Sequence, residues 1–195
     1  VLHAAGEIHS GDSTRGDGAF ASDSIGSRTM VRLLSDIKND SNIKGLVLRI
    51  DSPGGSALAS EVIWQAVREV AEEKPVYCSI GDLAASGGYY IACAADQIYV
   101  SPQSIVGSIG VVGGKITLAG LYDWAGINVH RRDRGPLAAM FNSTEPFTPD
   151  QREMVRASME QVYEQFVDRI RLGRGKRIAD MEAVTQGRLF TGGQA

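Results

Sequence analysis

The sequence lacks the features of several large functional classes. It has no basic excess, since 20 Lys and Arg face 23 Asp and Glu, and the net charge of −3 argues against a nucleic-acid-binding surface. No stretch approaches the roughly 20 apolar residues of a membrane-spanning helix. No basic amphipathic helix points to a membrane surface. No cluster of Cys, His and Asp offers a metal site, so we predict neither a metal nor another cofactor.

Cysteine and histidine are scarce. Cys78 and Cys93 lie outside any CxxC pair, and we expect two small buried residues rather than a disulfide framework. His3, His9 and His130 sit in no recognisable triad, and we expect His130 to be structural. The first residues, VLHAAGEIHSGDSTRG, lack the basic start and apolar run of a signal peptide. The abrupt start and the end at FTGGQA lead us to expect a fragment of a larger protein.

The sequence does contain an alternation of apolar strands and amphipathic helices. We predict strands at 1–9, 44–50 (KGLVLRI, buried on both faces), 74–80 (KPVYCSI), 97–100 and 127–132 (INVHRR). We predict helices at 27–40, 57–73, 87–95, 117–126, 148–172 and 178–186, and loops at 11–26, 101–114 and 133–147. The alternation predicts one α/β domain over 1–195 with a mostly parallel sheet.

Two of the predicted helices carry further signals. In the helix at 57–73, Val62, Ala66 and Val70 are spaced by four residues, so we predict that they lie on its apolar face. The segment Thr148-Pro149-Asp150-Gln151 is typical of a helix start, because Thr148 is a good N-cap and Gln151 stands at the capping-box position.

Two turns of small residues follow predicted strands directly and precede predicted helices. They are DSPGGS at 51–56 and GDLAASGG at 81–88. In an open parallel sheet, ligand groups gather at such carboxyl ends. Ser86, among alanines and glycines, suits a sharp strand-to-helix turn that presents a nucleophile, although a plain tight turn has the same composition. The backbone N–H groups of Gly54 or Gly55 and of Gly87 are candidate oxyanion donors.

The residues themselves offer no clear general base for Ser86. Because no histidine has a triad context, a lysine whose pKa is lowered by burial is the alternative. We expect four lysines to be surface charges away from the carboxyl ends of the strands or in the basic segment RLGRGKR: Lys38, Lys44, Lys74 and Lys176. Lys115, in VVGGKITLAG, lies downstream of Ser86 near a glycine-rich segment and stays a candidate.

Four ordered motifs, LRIDSPGGS, AASGGYYIA, VGSIGVVGG and GRLFTGGQA, resemble the signal peptide peptidase A (protease IV) family over nearly the whole chain. The resemblance implies a ClpP/crotonase-like fold of stacked βαβ units with a mostly parallel sheet and flanking helices. It also implies a membrane-associated serine peptidase that degrades cleaved signal peptides with a Ser–Lys dyad. Ser86 then matches the nucleophile, and Gly55 and Gly87 match the oxyanion hole.

The expected substrate groove is apolar. Gly54, Ile105 and Val106 are predicted to bind the substrate. Tyr89 and Tyr90 are candidates for the same groove, but we expect core packing to be their first role.

The chain departs from the short members of the family at one place. Gly135 matches the segment that carries their lysine, but Ala138 stands at the position of the lysine itself. Long members have two tandem copies, with the lysine in the first and the serine in the second, and this chain resembles the second. The resemblance therefore implies a general-base lysine from a missing N-terminal domain or a neighbouring subunit, a homo-oligomer and a peptide substrate. It implies a location on the periplasmic side of the inner membrane, with membrane association through parts absent here.

Three alternatives remain open. The first is a crotonase-like domain that holds an acyl thioester with paired N–H groups and no serine nucleophile. The second is a non-catalytic assembly half, and the third is a self-sufficient peptidase with Lys115 as base. A ClpP-like Ser–His–Asp enzyme has little support, because His130 is the one histidine after Ser86.

Overall fold

A computed structural model describes residues 1–16, 22–135 and 137–195. Parts of the predicted loops 11–26 and 133–147 lie outside these ranges. The chain divides into two compact units, of which the first comprises Val1–Gly110 with Tyr163–Ala195 and the second Val111–Val162. The prediction of a single domain over all residues stays a prediction.

The strands of the described residues, in chain order, are β1 Leu2–Ala5, β2 Glu7–His9, β3 Ser24–Gly26, β4 Leu46–Ser52, β5 Val76–Ala85, β6 Gln97–Tyr99, β7 Ile105–Gly107 and β8 Leu189–Thr191. The main sheet has the order β1-β4-β5-β7-β8, with β6 also paired to β5, and β2 and β3 form a separate pair. Every pairing is parallel except β7 with β8. The predicted α/β class with a mostly parallel sheet is confirmed.

The helices are α1 Ser27–Asn39, α2 Ala57–Ala71, α3 Gly87–Ala92, α4 Ala119–Trp124, α5 Pro149–Arg174 and α6 Met181–Val184, with a short 3-10 helix at Gly175–Arg177. The predicted start of α5 is confirmed. The Gln151 N–H donates to Thr148 Oγ1 over 3.2 Å, and the Thr148 N–H donates to Gln151 Oε1 over 3.1 Å. This reciprocal pair satisfies two of the N–H groups that a helix start leaves without partners. None of the described helices is both long and apolar enough to cross a membrane.

The core of the first unit lies between the sheet and its helices. Its fully buried side chains include Leu34, Leu48, Ile50, Ile63, Val67, Val76, Ile91 and Ile170. Burying such a side chain stabilises a fold by roughly 1.5–3 kcal/mol. Cys78 and Cys93 are both buried, as predicted, and burial raises the pKa of each thiol to about 12.

The prediction that the first long strand is buried on both faces is wrong. Leu46, Leu48 and Ile50 of β4 are buried, but Val47 is 37% exposed and Arg49 is exposed. Successive side chains of a strand point to opposite faces, and β4 presents only alternate residues to the core. The apolar face of α2 is also shifted from the prediction. Ile63, Val67 and Val70 are buried, while Val62 is 38% exposed and Ala66 is half-buried.

Several predicted boundaries are wrong as well. Residues 127–132 form no strand. No described strand pairs with them, so their backbone N–H and C=O groups form no inter-strand hydrogen bonds. The predicted strand at 1–9 is split at Gly6, whose φ of +98° sends β1 and β2 into different sheets. Strands β3 and β7 lie inside predicted loops, and β8 was not predicted.

Candidate active site

Ser86 lies at the turn between the end of β5 and the start of α3. Its φ of 50° and ψ of −120° place a non-glycine residue in a strained backbone region. The Ser86 N–H donates to the Gly107 carbonyl over 2.9 Å, but its side chain makes no capping hydrogen bond. Within the described ranges the Ser86 hydroxyl forms no hydrogen bond to the protein, and a strained strand-to-helix turn that presents such a serine is typical of a nucleophile elbow.

The turn after β4 packs directly against Ser86. The pairing of Ser52 with Ala84 sets the carboxyl ends of β4 and β5 side by side. A Cβ atom built on Gly54 would lie 2.7 Å from the Gly87 nitrogen and 2.8 Å from Ser86 Cβ. The φ of Gly54 is also +103°, so glycine alone suits this position. The structure therefore brings together the two turns singled out in the sequence.

Two backbone N–H groups flank this contact. A Cβ atom built on Gly87 would lie 3.3 Å from the Gly55 nitrogen and 2.5 Å from Ser60 Oγ. Among the described residues, neither the Gly55 N–H nor the Gly87 N–H donates a hydrogen bond to the protein. Unused, rigidly held N–H groups beside a nucleophile are what an oxyanion hole requires. The structure thus places Gly55 and Gly87 close together beside Ser86, and their catalytic role stays a prediction.

A network of hydrogen bonds shapes the turn after β4. Ser52 is buried, and its Oγ donates to the Gly6 carbonyl over 2.7 Å and accepts from the Gly54 N–H over 3.1 Å. Ile8 of β2 donates its N–H to the Gly54 carbonyl and accepts from the Ser56 N–H, each over 2.8 Å. The turn is therefore fixed from both sides, which leaves the Gly55 N–H free to point elsewhere.

Sequence reasoning missed Ser52 and Ser60 as supports of the site. The signal for Ser52 is visible in the strand, because Leu46, Leu48, Ile50 and Ser52 alternate and share the buried face. A polar residue at a buried position needs partners, and here they are in the turn itself.

The predicted substrate-binding residues of β7 point to different sides. Ile105 is 44% exposed, whereas Val106 is 2% exposed. Val106 lines a partly open pocket of about 190 Å³ together with Tyr89, Ile80 and Arg174. Tyr90 is buried against Phe166, with ring centroids 4.5 Å apart, which confirms core packing for this tyrosine. A substrate-binding role for Ile105, Val106 and Gly54 stays a prediction.

The described lysines of the first unit lie away from Ser86 or are engaged elsewhere. Lys44 and Lys74 precede β4 and β5. The ten residues of β5 lie between Lys74 and Ser86, and they span about 33 Å at roughly 3.3 Å per residue. Lys38 pairs with Glu69 and Glu73. Lys176 is exposed in the 3-10 helix.

Lys115, the candidate base, belongs to the second unit. Its Nζ donates to the Met140 carbonyl over 2.8 Å and lies 4.5 Å from the centroid of the Phe147 ring. Both partners belong to the same unit. These contacts anchor the Lys115 amine within the second unit.

The histidines show no catalytic arrangement. His9 bonds to the Ser10 carbonyl through Nδ1 and to Ser24 Oγ through Nε2, each over 2.8 Å. His3 and His130 are exposed. Across the described ranges, no group of three His, Cys, Asp or Glu side chains is placed to hold a metal ion.

Comparison with known proteins gives matches over the whole chain. The model of peptidase family S49 matches residues 68–195, and that of the Clp protease family matches residues 21–106. A serine protease SPPA of Arabidopsis thaliana, described as chloroplastic, is 36% identical over 100% of this chain and 28% of its own length. Protease 4 of Salmonella typhi is 33% identical over 100% of this chain and 30% of its own length. A putative protease of Methanocaldococcus jannaschii is 33% identical over 94% of this chain and 59% of its own length.

Among solved structures, a ClpP1 mutant from Listeria monocytogenes matches with a TM-score of 0.59 and 13% identity, over 100% of this chain and 84% of that one. This likeness shows a ClpP-like fold, as predicted. The chain spans less than a third of the length of the Arabidopsis and Salmonella relatives.

Proposed function

Because the chain belongs to peptidase family S49, we propose that it is the serine-bearing domain of a serine peptidase, with Ser86 as the nucleophile. One observation carries the proposal. Ser86 has a strained backbone at the end of β5, and Gly54 packs so closely against it that a Cβ on Gly54 would not fit. Strain of this kind costs about 1–3 kcal/mol and persists where the surrounding structure holds it.

The proposed reaction is acyl transfer in two steps. A neutral lysine amine accepts the Ser86 proton while Oγ attacks the carbonyl carbon of a peptide bond. The C–N bond then breaks, and the amine product leaves with the proton from the lysine. A water molecule, deprotonated by the same lysine, attacks the acyl ester and releases the carboxylate and Ser86.

The Gly55 and Gly87 N–H groups are the proposed oxyanion donors. They flank the position of Ser86, and no described acceptor occupies them. Donors that are held in place before the reaction stabilise the developing oxyanion without reorganisation, and losing one costs about 10²–10³-fold in kcat.

We propose that the general-base lysine comes from outside these residues, from an N-terminal domain of a longer protein or from a neighbouring subunit. The contacts of Lys38 and Lys115, and the positions of Lys44 and Lys74 at the far ends of their strands, support this assignment. Ala138 stands where short family members are expected to have the lysine. A composite site would account for a serine whose side chain lacks a local base.

The second unit supports the proposed homo-oligomer. None of its described residues is buried. It exposes many large apolar side chains, namely Val112, Ile116, Leu121, Trp124, Ile127, Val129, Leu137, Phe141 and Met154. Such a concentration of exposed apolar surface marks an interaction site, and we propose that another copy of this chain covers it.

The substrate and location remain proposals that rest on the resemblance. We propose cleaved signal peptides as the substrate, and the periplasmic side of the inner membrane as the location. Membrane association would come from parts other than the described helices, none of which could span a bilayer.

The proposal is tested by labelling with a fluorophosphonate probe, which reacts with an activated serine. The chain is compared alone, together with the proposed N-terminal domain, and as a Ser86→Ala variant. We expect labelling of Ser86 only when the N-terminal domain is present, and none in Ser86→Ala. Ser79→Ala is the matched control, because Ser79 lies on the same strand and bonds to Arg49 instead.

The other outcomes separate the alternatives. Labelling of the chain alone would mean a base within these residues, and Lys115→Ala would then test Lys115. No labelling with the N-terminal domain present would contradict the peptidase proposal and favour an assembly domain or an acyl-thioester-binding domain.

A further inference from the structure

A buried ionic cluster joins the two helices that begin at the candidate active site. Helix α2 begins two residues after Gly55, and α3 begins at Gly87. Glu61 of α2 accepts a hydrogen bond from the Tyr90 hydroxyl of α3 over 2.5 Å. The link therefore lies within the first two turns of both helices, close to the proposed oxyanion donors.

The same carboxylate is held from a third helix. Arg169 of α5 donates from Nε to Glu61 Oε2 over 3.0 Å and from Nη2 to Oε1. The Arg169 guanidinium also stacks on Trp64, 4.5 Å from the ring centroid, and Gln65 donates to Glu61 Oε1 over 2.7 Å. A two-pronged Arg–carboxylate pair is strong and directional, so it fixes the position of Glu61.

The Glu61 carboxylate and the Tyr90 hydroxyl are shielded from solvent, whereas 24% of the Arg169 side chain is exposed. Glu61 is 8% exposed and Tyr90 is 3% exposed. Burial alone would raise the pKa of Glu61, but hydrogen bonds from Arg169, Tyr90 and Gln65 outweigh it and leave the pKa lowered. The carboxylate is therefore charged at neutral pH, and every one of its hydrogen bonds is charge-assisted.

We propose that Glu61 is a positioning residue of the proposed peptidase reaction, with Tyr90 and Arg169 as its partners. By tying α3 to α2, it fixes the separation of the Gly55 and Gly87 N–H groups. This inference rests on the proposed function, because the two N–H groups matter only if they bind an oxyanion. A displacement of about 1 Å in such a site can cost about 10²-fold in rate.

The test uses the full-length protein and the variant Tyr90→Phe. This change removes one hydroxyl, but it keeps the ring against Phe166 and leaves Glu61 paired with Arg169. We expect kcat for peptide hydrolysis to fall about tenfold with KM within about twofold, because the loss affects the transition state. We also expect faster amide hydrogen exchange at residues 53–56 and 86–88.

A conservative pair of variants and one control complete the test. Glu61→Gln keeps an oxygen that accepts from Tyr90 or Arg169, so it should retain more of kcat than Glu61→Leu. Asp168→Asn is the matched control, because it neutralises Asp168 in the exposed Asp168–Arg171 pair next to Arg169 on the same helix. It should change neither kcat nor the exchange of the two turns.

Two results would overturn the inference, and they differ in meaning. If Ser86→Ala abolishes hydrolysis but Tyr90→Phe leaves kcat within about twofold, the cluster is a structural ion pair only and the proposed function stands. If Ser86→Ala hydrolyses peptides at the normal rate, the proposed function fails and the inference fails with it.

Discussion

The backbone N–H of Ser86 donates to the carbonyl oxygen of Gly107 over 2.9 Å, so β7 holds the backbone of the candidate nucleophile. β7 is in turn paired on its other side with β8, whose Phe190 lies opposite Val106. The strained serine thus depends on a strand that arrives some 20 residues later and on one from the end of the chain. The backbone of Ser86 is therefore held by strands that are distant in the sequence rather than by its immediate neighbours.

Replacing Gly54 by alanine should damage both stability and activity. The added Cβ would meet the Gly87 nitrogen at 2.7 Å, and the φ of +103° is unfavourable for alanine. We expect a loss of about 2 kcal/mol or more in the free energy of unfolding, measured in urea, with loss of Ser86 labelling. Gly120→Ala is the control, because its Cβ meets nothing within 4 Å on helix α4. There alanine should stabilise by about 0.5–1 kcal/mol.

Gly87→Ala should be partly rescued by a second change. The added Cβ would lie 2.5 Å from Ser60 Oγ, and Ser60→Ala removes that oxygen. We expect Gly87→Ala to lower kcat strongly, and the double variant to recover part of the lost stability in a double-mutant cycle. Additive effects of the two changes would contradict the close approach of α2 to this turn.

Glu61 should contribute to stability in a pH-dependent way. Its pKa in the folded protein is lowered from the ordinary value of 4.5, since its hydrogen bonds outweigh the burial that raises it. The unfolded chain then binds more protons, so the contribution is present above about pH 4.5 and is lost as the pH falls through the folded-state pKa. The free energy of unfolding, measured in urea between pH 7 and pH 3, should therefore fall less steeply with decreasing pH for Glu61→Gln than for the unchanged protein. Equal slopes for the two proteins would contradict this.

The two cysteines should be unreactive in the folded protein. Burial raises the pKa of Cys78 and Cys93 to about 12, so almost no thiolate forms at pH 8. We expect a thiol reagent such as iodoacetamide to modify neither one until urea unfolds the chain. Modification of either cysteine in native buffer would show that the core opens at that point.

Trp124 should report on the proposed assembly. It is 84% exposed on α4, so Trp124→Glu should not disturb the fold of the chain itself. We expect the variant to shift the full-length protein towards smaller species in sedimentation velocity. Leu172→Glu is the control, because Leu172 is an apolar residue of the first unit that is 70% exposed, and it should leave the sedimentation unchanged.

The sequence was informative where a pattern is repeated or local. The continuous apolar run located β4, the helical patterns located α2 and α5, and the capping box placed the start of α5 correctly. The small-residue turns identified Ser86, Gly55 and Gly87 as neighbours, because parallel strands bring their carboxyl ends to one edge. These inferences need only local sequence patterns and the shared direction of parallel strands.

The sequence was uninformative where partners are distant. The three-residue strands β7 and β8 are too short for a periodic signal, and they pair residues 84 positions apart, as Val106 with Phe190 shows. The segment 127–132 has strand-like residues, yet no described strand pairs with it. Glu61 and Arg169 lie 108 residues apart, so neither the pattern of α2 nor that of α5 could reveal their contact.

Because of the positive φ of Ser86, the stability of the fold and the proposed reaction favour different residues at this position. Glycine at 86 would adopt this backbone without steric cost, so Ser86→Gly should return about 1 kcal/mol after its own entropic penalty. The same change would remove the hydroxyl on which the proposed reaction depends. Selection for a more stable fold and selection for a working peptidase would therefore favour different residues at this position, and the serine persists only while the reaction is under selection.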